Sequence, residues 1–217
     1  MKNLLLQHWS GDVPEIVGLS TEAMAAYAAR IGADYAFLRG TQFDPRLSPA
    51  MQKLAMLSED YDTSDTVCMV DSDMFPVRGL TESVFDLAGY GIEHPSARAR
   101  VHRQKPAFLD RGGVFWGGAV YLLPRDIRVR LRAHYAYLWA REFDSRGLGL
   151  DEGVMAVLAR RTKVPVDGAY FGQEWAWASY ADGFSTARMV HVRHHDGKGR
   201  LVDKMDVYRA LMAKGIL

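Results

Sequence analysis

The chain has 217 residues, of which 48% are hydrophobic and 24% are charged, and its formal net charge is +1. This composition is typical of one globular domain, and the near-neutral charge gives no support to a nucleic-acid-binding role. A single cysteine, Cys68, excludes a disulfide framework and a multi-cysteine metal site. The apolar run at 1–7 is too short for a signal peptide or a membrane span, so we expect a cytoplasmic protein without a membrane anchor.

The first third of the chain alternates predicted strands with predicted helices. One helix is expected to have Ser20 as its N-cap and Gly32 as its stop signal. A second helix is expected to open at Ser48, because a proline follows at the tolerated first position. This alternation indicates an α/β fold with a mostly parallel central sheet flanked by helices. The expected elements are strands at 4–7, 35–38 and 66–70 and helices at 20–32 and 48–60.

The remainder of the chain has a less regular pattern. Apolar side chains with the spacing of one helix face predict a helix over 127–138. No repeat, linker or shift in composition marks a boundary, so we expect one domain over 1–217. The other expected elements are strands at 91–93, 114–123 and 188–193, a polar loop at 96–111 and helices at 151–161 and 203–214.

Two carboxylates, Asp71 and Asp73, directly follow the apolar strand expected at 66–70. In an open α/β sheet ligands bind outside the carboxyl ends of the strands, and residues two apart in an extended segment point the same way. Two converging carboxylates suit Mg²⁺ or Mn²⁺, and these cations in turn suit phosphate oxygens. A capping turn would explain the same tripeptide, but the position after a buried strand favours a metal site.

Three of the seven histidines, His191, His194 and His195, fall within five residues after the last predicted strand begins. Imidazole nitrogen is a common metal ligand, so each histidine is a candidate partner of the acidic pair. A solvated surface cluster would give the same pattern. Alternation along the strand favours His191, and His194 is the second choice.

Four stretches together resemble the metal-dependent, nucleotide-sugar-using glycosyltransferases of the GT-A fold, especially the glycosyltransferase family 8-like group. They occur in the order of that family and span most of the chain. The third stretch has Glu152 where the family has glutamine. The stretches are DYD at 60–62 followed by the D-x-D motif DSD at 71–73, VFWGGAVYLL at 114–123, LDEGV at 150–154 and HVRHHDGK at 191–198.

The resemblance implies a role for each matching residue. Asp73 would be the main metal ligand, Asp71 would bridge the metal and the donor ribose, and His191 would be the third ligand. Lys198 would hold the diphosphate. Asp151 and Glu152 are the implied catalytic pair, near the acceptor and the reacting sugar. The implied donor-binding residues also include Lys53 and the first loop, Gln7, His8 and Trp9, which would cradle the base.

Some of these features also have a purely structural interpretation. Asp151 precedes a helix and can serve as its N-cap. The basic loop at 96–111 can be a solvated segment or one that closes over the donor. The tryptophans are expected in the core, although one of them could stack on a sugar ring; they are Trp116, Trp175 and Trp177.

The resemblance implies a single GT-A-type, Rossmann-like domain with a nucleotide-sugar-binding half at 1–75 and an acceptor-binding half at 76–217. The implied activity is a hexosyltransferase that uses Mn²⁺ or Mg²⁺ and a nucleotide diphosphate sugar, with a UDP-sugar favoured. The acceptor is open, and the resemblance favours retention at the anomeric carbon. The alternatives are a nucleotidyltransferase of related fold and an inactive sugar-binding protein. A haloacid dehalogenase-type phosphatase is disfavoured, because Phe75 stands where its motif needs threonine or valine.

Overall fold

The computed structural model describes residues 1–93, 114–141, 151–165 and 168–217, so the expected loop at 96–111 lies outside the described residues. The strands are β1 (Asn3–Trp9), β2 (Asp34–Arg39), β3 (Thr66–Val70), β4 (Met74–Pro76), β5 (Gly91–Glu93), β6 (Trp116–Pro124), β7 (Tyr170–Phe171), β8 (Trp177–Ala178) and β9 (Met189–His191). The α-helices are α1 (Glu15–Arg30), α2 (Arg125–Arg141), α3 (Asp151–Arg161) and α4 (Lys204–Ala213). Short 3-10 helices cover Pro49–Leu57, Glu59–Tyr61, Val84–Asp86, Gln173–Ala176 and Phe184–Thr186.

Six strands form a central sheet in the order β2-β1-β3-β6-β5-β7. β1 runs parallel to β2 and β3, and β5 runs parallel to β7, whereas β6 is antiparallel to both of its neighbours. A second, three-stranded sheet has the order β4-β9-β8. The expected α/β fold with a central sheet is confirmed, and three of its five strand pairs are parallel.

Strand β3 is apolar because helices and loops cover both faces of the sheet. Val67 and Met69 pack into a core cluster with side chains from α2 and α3, whereas Cys68 and Val70 pack into a second cluster with side chains from α1. All four side chains are fully buried. A central strand that is covered on both faces needs such a continuous apolar run, so the first charged side chains appear where the strand ends.

Most predicted elements are present in the described part of the chain with boundaries that shift by a few residues. The strand at 66–70 and the helix at 151–161 match β3 and α3. The helix expected at 48–60 is a 3-10 helix over Pro49–Leu57, followed by a second short one. The predicted strand at 188–193 is shorter, as β9.

The predicted N-cap at Ser20 is wrong. Helix α1 begins at Glu15, because the backbone N–H groups of Val17 and Gly18 already donate to the carbonyl of Pro14. Ser20 is instead buried within the helix, and its hydroxyl donates to the carbonyl of Met74 at 2.6 Å. A serine that is predicted to cap a helix therefore anchors α1 to β4, directly after the acidic pair.

Among the helices that the structure describes, none combines the length and the apolar character needed to cross a bilayer.

Candidate active site

The acidic pair and a histidine meet at the carboxyl end of β3. Asp71 and Asp73 lie in the turn between β3 and β4, and β4 pairs with β9 so that Met74 is opposite His191. The N–H of Val192 also donates to the carbonyl of Asp73 at 3.0 Å. This backbone pairing brings a late histidine to the acidic pair.

The three side chains form a compact group that fits a divalent cation. Nε2 of His191 lies 3.1 Å from a carboxylate oxygen of Asp73 and 3.9 Å from one of Asp71. One ligand atom from each residue lies within 4.8 Å of the others. Two carboxylates and one imidazole are suitable ligands for a divalent metal ion, and the remaining positions of such an ion could take phosphate oxygens.

Lys53 is a largely buried cation that contacts Asp71, the start of α3 and strand β6. Its ammonium group lies 2.6 Å from Asp71 and 3.2 Å from Asp151, and it donates to the carbonyl of Gly118 at 2.9 Å. Burial by itself would lower the pKa of Lys53, but the charges of Asp151 and Asp71 outweigh it and raise the pKa above its ordinary value. Lys53 therefore stays charged and joins the acidic pair to the start of α3.

Lys204 is the functional candidate that the sequence interpretation missed. It is the first residue of α4, and its ammonium group forms an ion pair with Asp73. Burial would raise the pKa of Asp73, but His191 and Lys204 outweigh that effect and hold the pKa well below its ordinary value. Lys204 directly follows the helix cap Asp203. Because lysines are common at exposed helix ends, the sequence gave little indication that this one belongs to the site.

Lys198, the residue expected to hold the diphosphate, does not lie at the acidic pair. It is exposed in the turn that Asp196 organises, where its backbone N–H donates to the Asp196 carboxylate at 2.8 Å. It does not line the cavity at the acidic pair. The structure thus places Lys204, and not Lys198, in contact with the acidic pair.

Asp151 and Glu152 lie at the start of α3, against the glycine pair of β6. The hydroxyl of Tyr121 donates to Asp151 at 2.8 Å, and Glu152 accepts a hydrogen bond from the N–H of Gly118 at 3.0 Å. Burial raises the pKa of Asp151, with Lys53 acting in the opposite direction. The start of a helix favours a negative charge on Asp151, burial opposes this charge, and Lys53 supports it.

Gly118 is required at this position for space. A Cβ atom there would lie 2.8 Å from a carboxylate oxygen of Asp151 and 3.2 Å from the ammonium group of Lys53. Both distances are shorter than ordinary van der Waals contact. The glycine therefore lets strand β6 approach the buried lysine and carboxylate closely.

The three residues expected to cradle the base have different positions. Gln7 is fully buried, and its amide donates to the carbonyl of Asp71 at 2.9 Å and to the hydroxyl of Ser20 at 3.0 Å. The structure thus places Gln7 beneath Asp71, and Gln7 is not among the residues that line the cavity. His8 and Trp9 do line the cavity.

His8 and Trp9 are themselves fixed by backbone carbonyls. Nε2 of His8 donates to the carbonyl of Gly40 at 2.7 Å, and the indole N–H of Trp9 donates to that of Asp12 at 2.8 Å. Burial lowers the pKa of His8, so the ring is held neutral. A neutral ring and an indole are suitable neighbours for a planar, uncharged group.

A cavity of about 570 Å³ lies between the acidic pair, Lys53, the start of α3 and the end of β1. This is the size of a site for a small molecule. His194, exposed at the rim, also lines it, whereas His195 packs its ring at 5.0 Å from that of His194. The cavity is lined by His8, Trp9, Ser10, Pro49, Ala50, Lys53, Asp71, Ser72, Asp73, Gly118, Asp151, Glu152, Arg193 and His194.

The sheet topology and the position of the acidic site define the class of fold as that of the GT-A-type glycosyltransferases. The chain is similar in structure to a glycosyltransferase involved in the glycosylation of the major capsid of PBCV-1, with a TM-score of 0.60 and 11% identity over 98% of this chain and 100% of that one. It is also similar to the galactosyltransferase LgtC, solved with donor and acceptor sugar analogs, with a TM-score of 0.57 and 11% identity over 97% of this chain and 95% of that one. By sequence, no protein-family model and no curated protein matches the chain. At this identity the likeness establishes the fold, and the activity has to be argued from the site.

Proposed function

We propose that the protein is a metal-dependent glycosyltransferase that moves a hexose from a nucleotide diphosphate sugar, with a UDP-sugar favoured, to an acceptor hydroxyl. One observation carries the proposal. Asp71, Asp73 and His191 meet at the carboxyl end of β3, and the two carboxylates line a 570 Å³ cavity, in a chain with the GT-A fold. Ligand sites of open α/β sheets lie at this edge.

Cationic groups of the site would bind the diphosphate. Asp71, Asp73 and His191 would hold Mn²⁺ or Mg²⁺, which when bound neutralises the departing diphosphate. Lys204 would turn from Asp73 towards a phosphate oxygen, because the bound ion would replace Lys204 as the positive partner of that carboxylate. Lys198 remains a proposed second contact, from the exposed turn after β9.

The two halves of the chain would divide the substrates. The half at 1–75 supplies His8 and Trp9, which would flank the nucleotide base. The half at 76–217 supplies Asp151 and Glu152, which also line the cavity and beside which the hexose would lie.

In the reaction the bond between the anomeric carbon and the diphosphate oxygen breaks, and the acceptor oxygen forms the new bond. Glu152 would stabilise positive charge on the sugar ring, and Asp151 would accept a hydrogen bond from a hydroxyl of the sugar or the acceptor. Transfer with retention at the anomeric carbon is part of this proposal and rests on the resemblance.

The proposal is tested by calorimetric titration of UDP into the protein with Mn²⁺ and with EDTA. Asp73→Asn should weaken Mn²⁺-dependent UDP binding by about 100-fold, because it removes a charged metal ligand. Asp206→Asn removes an exposed carboxylate that pairs only with Arg209 among the described residues, so it should leave the affinity unchanged. Equal UDP affinity in Mn²⁺ and EDTA would refute the metal site, and no binding of UDP or other nucleotide diphosphates would refute the proposed function.

A further inference from the structure

A second cavity, of about 440 Å³, lies beside the candidate active site. We call it the side cavity; its lining includes Glu93, Gly117, Trp177, Tyr180 and Arg193. Arg193 lines both cavities. Gly117 lines the side cavity and the next residue, Gly118, lines the main one, so the two cavities adjoin at the start of β6.

The wall of the side cavity is fixed to the candidate metal ligand by the backbone. Strand β8 pairs with β9 so that Ala178 is opposite His191. The N–H of Ser179 donates to the carbonyl of His191, and its hydroxyl accepts from the N–H of Arg193, both at 3.0 Å. A molecule in the side cavity would therefore be held at a defined distance from the cation site.

Aromatic side chains give the side cavity its chemical character. Trp177 is half-buried against a core cluster, and Tyr180 is 46% exposed, with its ring centre 5.6 Å from that of His195. Aromatic faces of this kind pack against the C–H face of a pyranose ring while its hydroxyls stay hydrogen-bonded. A lining with two such rings favours a saccharide over an extended peptide.

Two residues of the lining have unpaired hydrogen-bond donors. Nε1 of Trp177 and Nε of Arg193 are buried, and neither has a hydrogen-bond acceptor within the described residues. Buried donors without partners are costly, and a ligand oxygen that reaches either atom would remove that cost. Hydroxyl-rich molecules offer such oxygens in number.

The charges of the lining indicate an uncharged ligand. Among the described residues of the lining, Arg193 is the cation and Glu93 is the carboxylate, so their formal charges cancel. A site for an anionic sugar would be expected to carry excess positive charge.

We propose that the side cavity is the acceptor subsite and that it binds an uncharged saccharide, whose ring packs on Trp177 and Tyr180 and whose oxygens accept from Trp177 and Arg193. This inference rests on the proposed function. The saccharide presents one hydroxyl to the donor sugar in the main cavity. The new glycosidic bond forms at that oxygen, the bond to the diphosphate breaks, and the released nucleoside diphosphate takes up the hydroxyl proton.

The test measures transfer and binding separately. Transfer from a UDP-hexose panel with Mn²⁺ is followed against hydrolysis of the same donor by water, with uncharged p-nitrophenyl glycosides as acceptors. Binding of those glycosides alone is followed by saturation-transfer NMR. Tyr180→Ala and Trp177→Phe are the test variants, because the first alters an exposed ring and the second keeps the ring but removes its N–H. Met212→Ala, at the same 46% exposure, is the matched control.

We expect both test variants to raise the acceptor KM about tenfold, to lower the ratio of transfer to hydrolysis, and to weaken the NMR signal, whereas the control changes none of them. An unchanged acceptor KM, or an equal loss of transfer and hydrolysis, would overturn the subsite. A p-nitrophenyl glucuronide that binds better than its uncharged glucoside would overturn the uncharged ligand. If the wild-type protein neither hydrolyses nor transfers any donor, the proposed function fails; NMR binding of glycosides that Tyr180→Ala abolishes would still support a saccharide site.

Discussion

Replacement of Lys53 by methionine should destabilise the protein more than any change of a surface charge. The ammonium group of Lys53 lies within 2.6 Å of Asp71 and 3.2 Å of Asp151, and its side chain is 12% exposed. Methionine has a similar length and no charge, so Lys53→Met removes the shared cation without a large cavity. Two carboxylates would then face each other around an apolar side chain.

The magnitude follows from the burial of the two carboxylates. Removal of one partner of a buried ion pair costs about 3–5 kcal/mol of the free energy of unfolding. The side chain of Asp71 is 22% exposed and can be partly solvated, so we expect the lower end, about 3 kcal/mol at pH 7. For a chain of this length that corresponds to a fall in Tm of about 6–12 °C.

The pH dependence has a definite sign. Burial already raises the folded-state pKa of Asp151, and loss of Lys53 removes the charge that lowers it. In the variant this carboxyl therefore takes up a proton more readily in the folded than in the unfolded state. The stability of the variant is then retained at low pH and falls as pH rises above the ordinary aspartate value, so its deficit against the wild type widens from about pH 4 to pH 7.

The assay is thermal unfolding followed by circular dichroism, with EDTA and with Mn²⁺, at several pH values. Lys2→Met is the control, because the ion pair of Lys2 with Asp34 is exposed and 3.9 Å long; it should cost less than about 1 kcal/mol. Mn²⁺ should recover part of the loss in Lys53→Met, since a metal ion would neutralise Asp71. A fall in Tm no larger than that of the control would refute the buried-charge argument.

Three further changes test the site and the fold. Glu152→Gln keeps an oxygen that can accept from Gly118 N–H, so a fall of about 100-fold or more in kcat with little change in donor KM would show that the negative charge is needed, as we expect. Gly118→Ala puts a methyl group 2.8 Å from Asp151, and we expect it to cost about 1–3 kcal/mol in urea unfolding and to weaken calorimetric UDP binding. Asp62→Asn should lower the free energy of unfolding by about 1–2 kcal/mol at pH 7, because Asp62 accepts hydrogen bonds from Arg132 that hold its pKa below the ordinary value. In urea unfolding, this difference from wild type should vanish as pH falls through that lowered pKa.

Each of these changes has an outcome that would contradict it. A wild-type kcat in Glu152→Gln would show that the negative charge of Glu152 is not needed for the reaction. Gly18→Ala in α1 is the control for the glycine change, because nothing lies within 4 Å of the added methyl group; it should stabilise the helix by about 1 kcal/mol. If Gly118→Ala behaves like this control, the close approach of β6 is not required. A constant difference at all pH values would show that the charge of Asp62 is not what stabilises the fold.

Much of the fold and part of the site were predictable from the sequence for local reasons. Strand β3 is apolar at its four buried positions, 67–70, because both faces are covered, and that run predicted the strand and the place of Asp71 and Asp73. Helix α3 was predictable from its spacing, and with it the position of Asp151. These features depend on neighbours within a few residues, so they can be recognised in a single sequence.

The residues that were predicted wrongly are those whose positions depend on packing against distant parts of the chain. Ser20 has the side chain of a helix cap, but the burial of Ile16 and Val17 starts α1 five residues earlier. Gln7 was expected in a loop with His8 and Trp9, but all three belong to β1, and Gln7 is buried beneath Asp71 whereas His8 and Trp9 line the cavity.

The sequence by itself determined which residues could carry the chemistry, because side-chain type, periodicity and the end of a buried strand are local properties. Only the tertiary structure decided which of them meet. The pairing of β4 with β9 selects His191 from three candidate histidines, and the docking of α4 brings Lys204 to Asp73 across 131 residues of chain. Such contacts depend on strand pairing and helix packing between distant segments, and no local pattern specifies which distant partner a strand or helix takes.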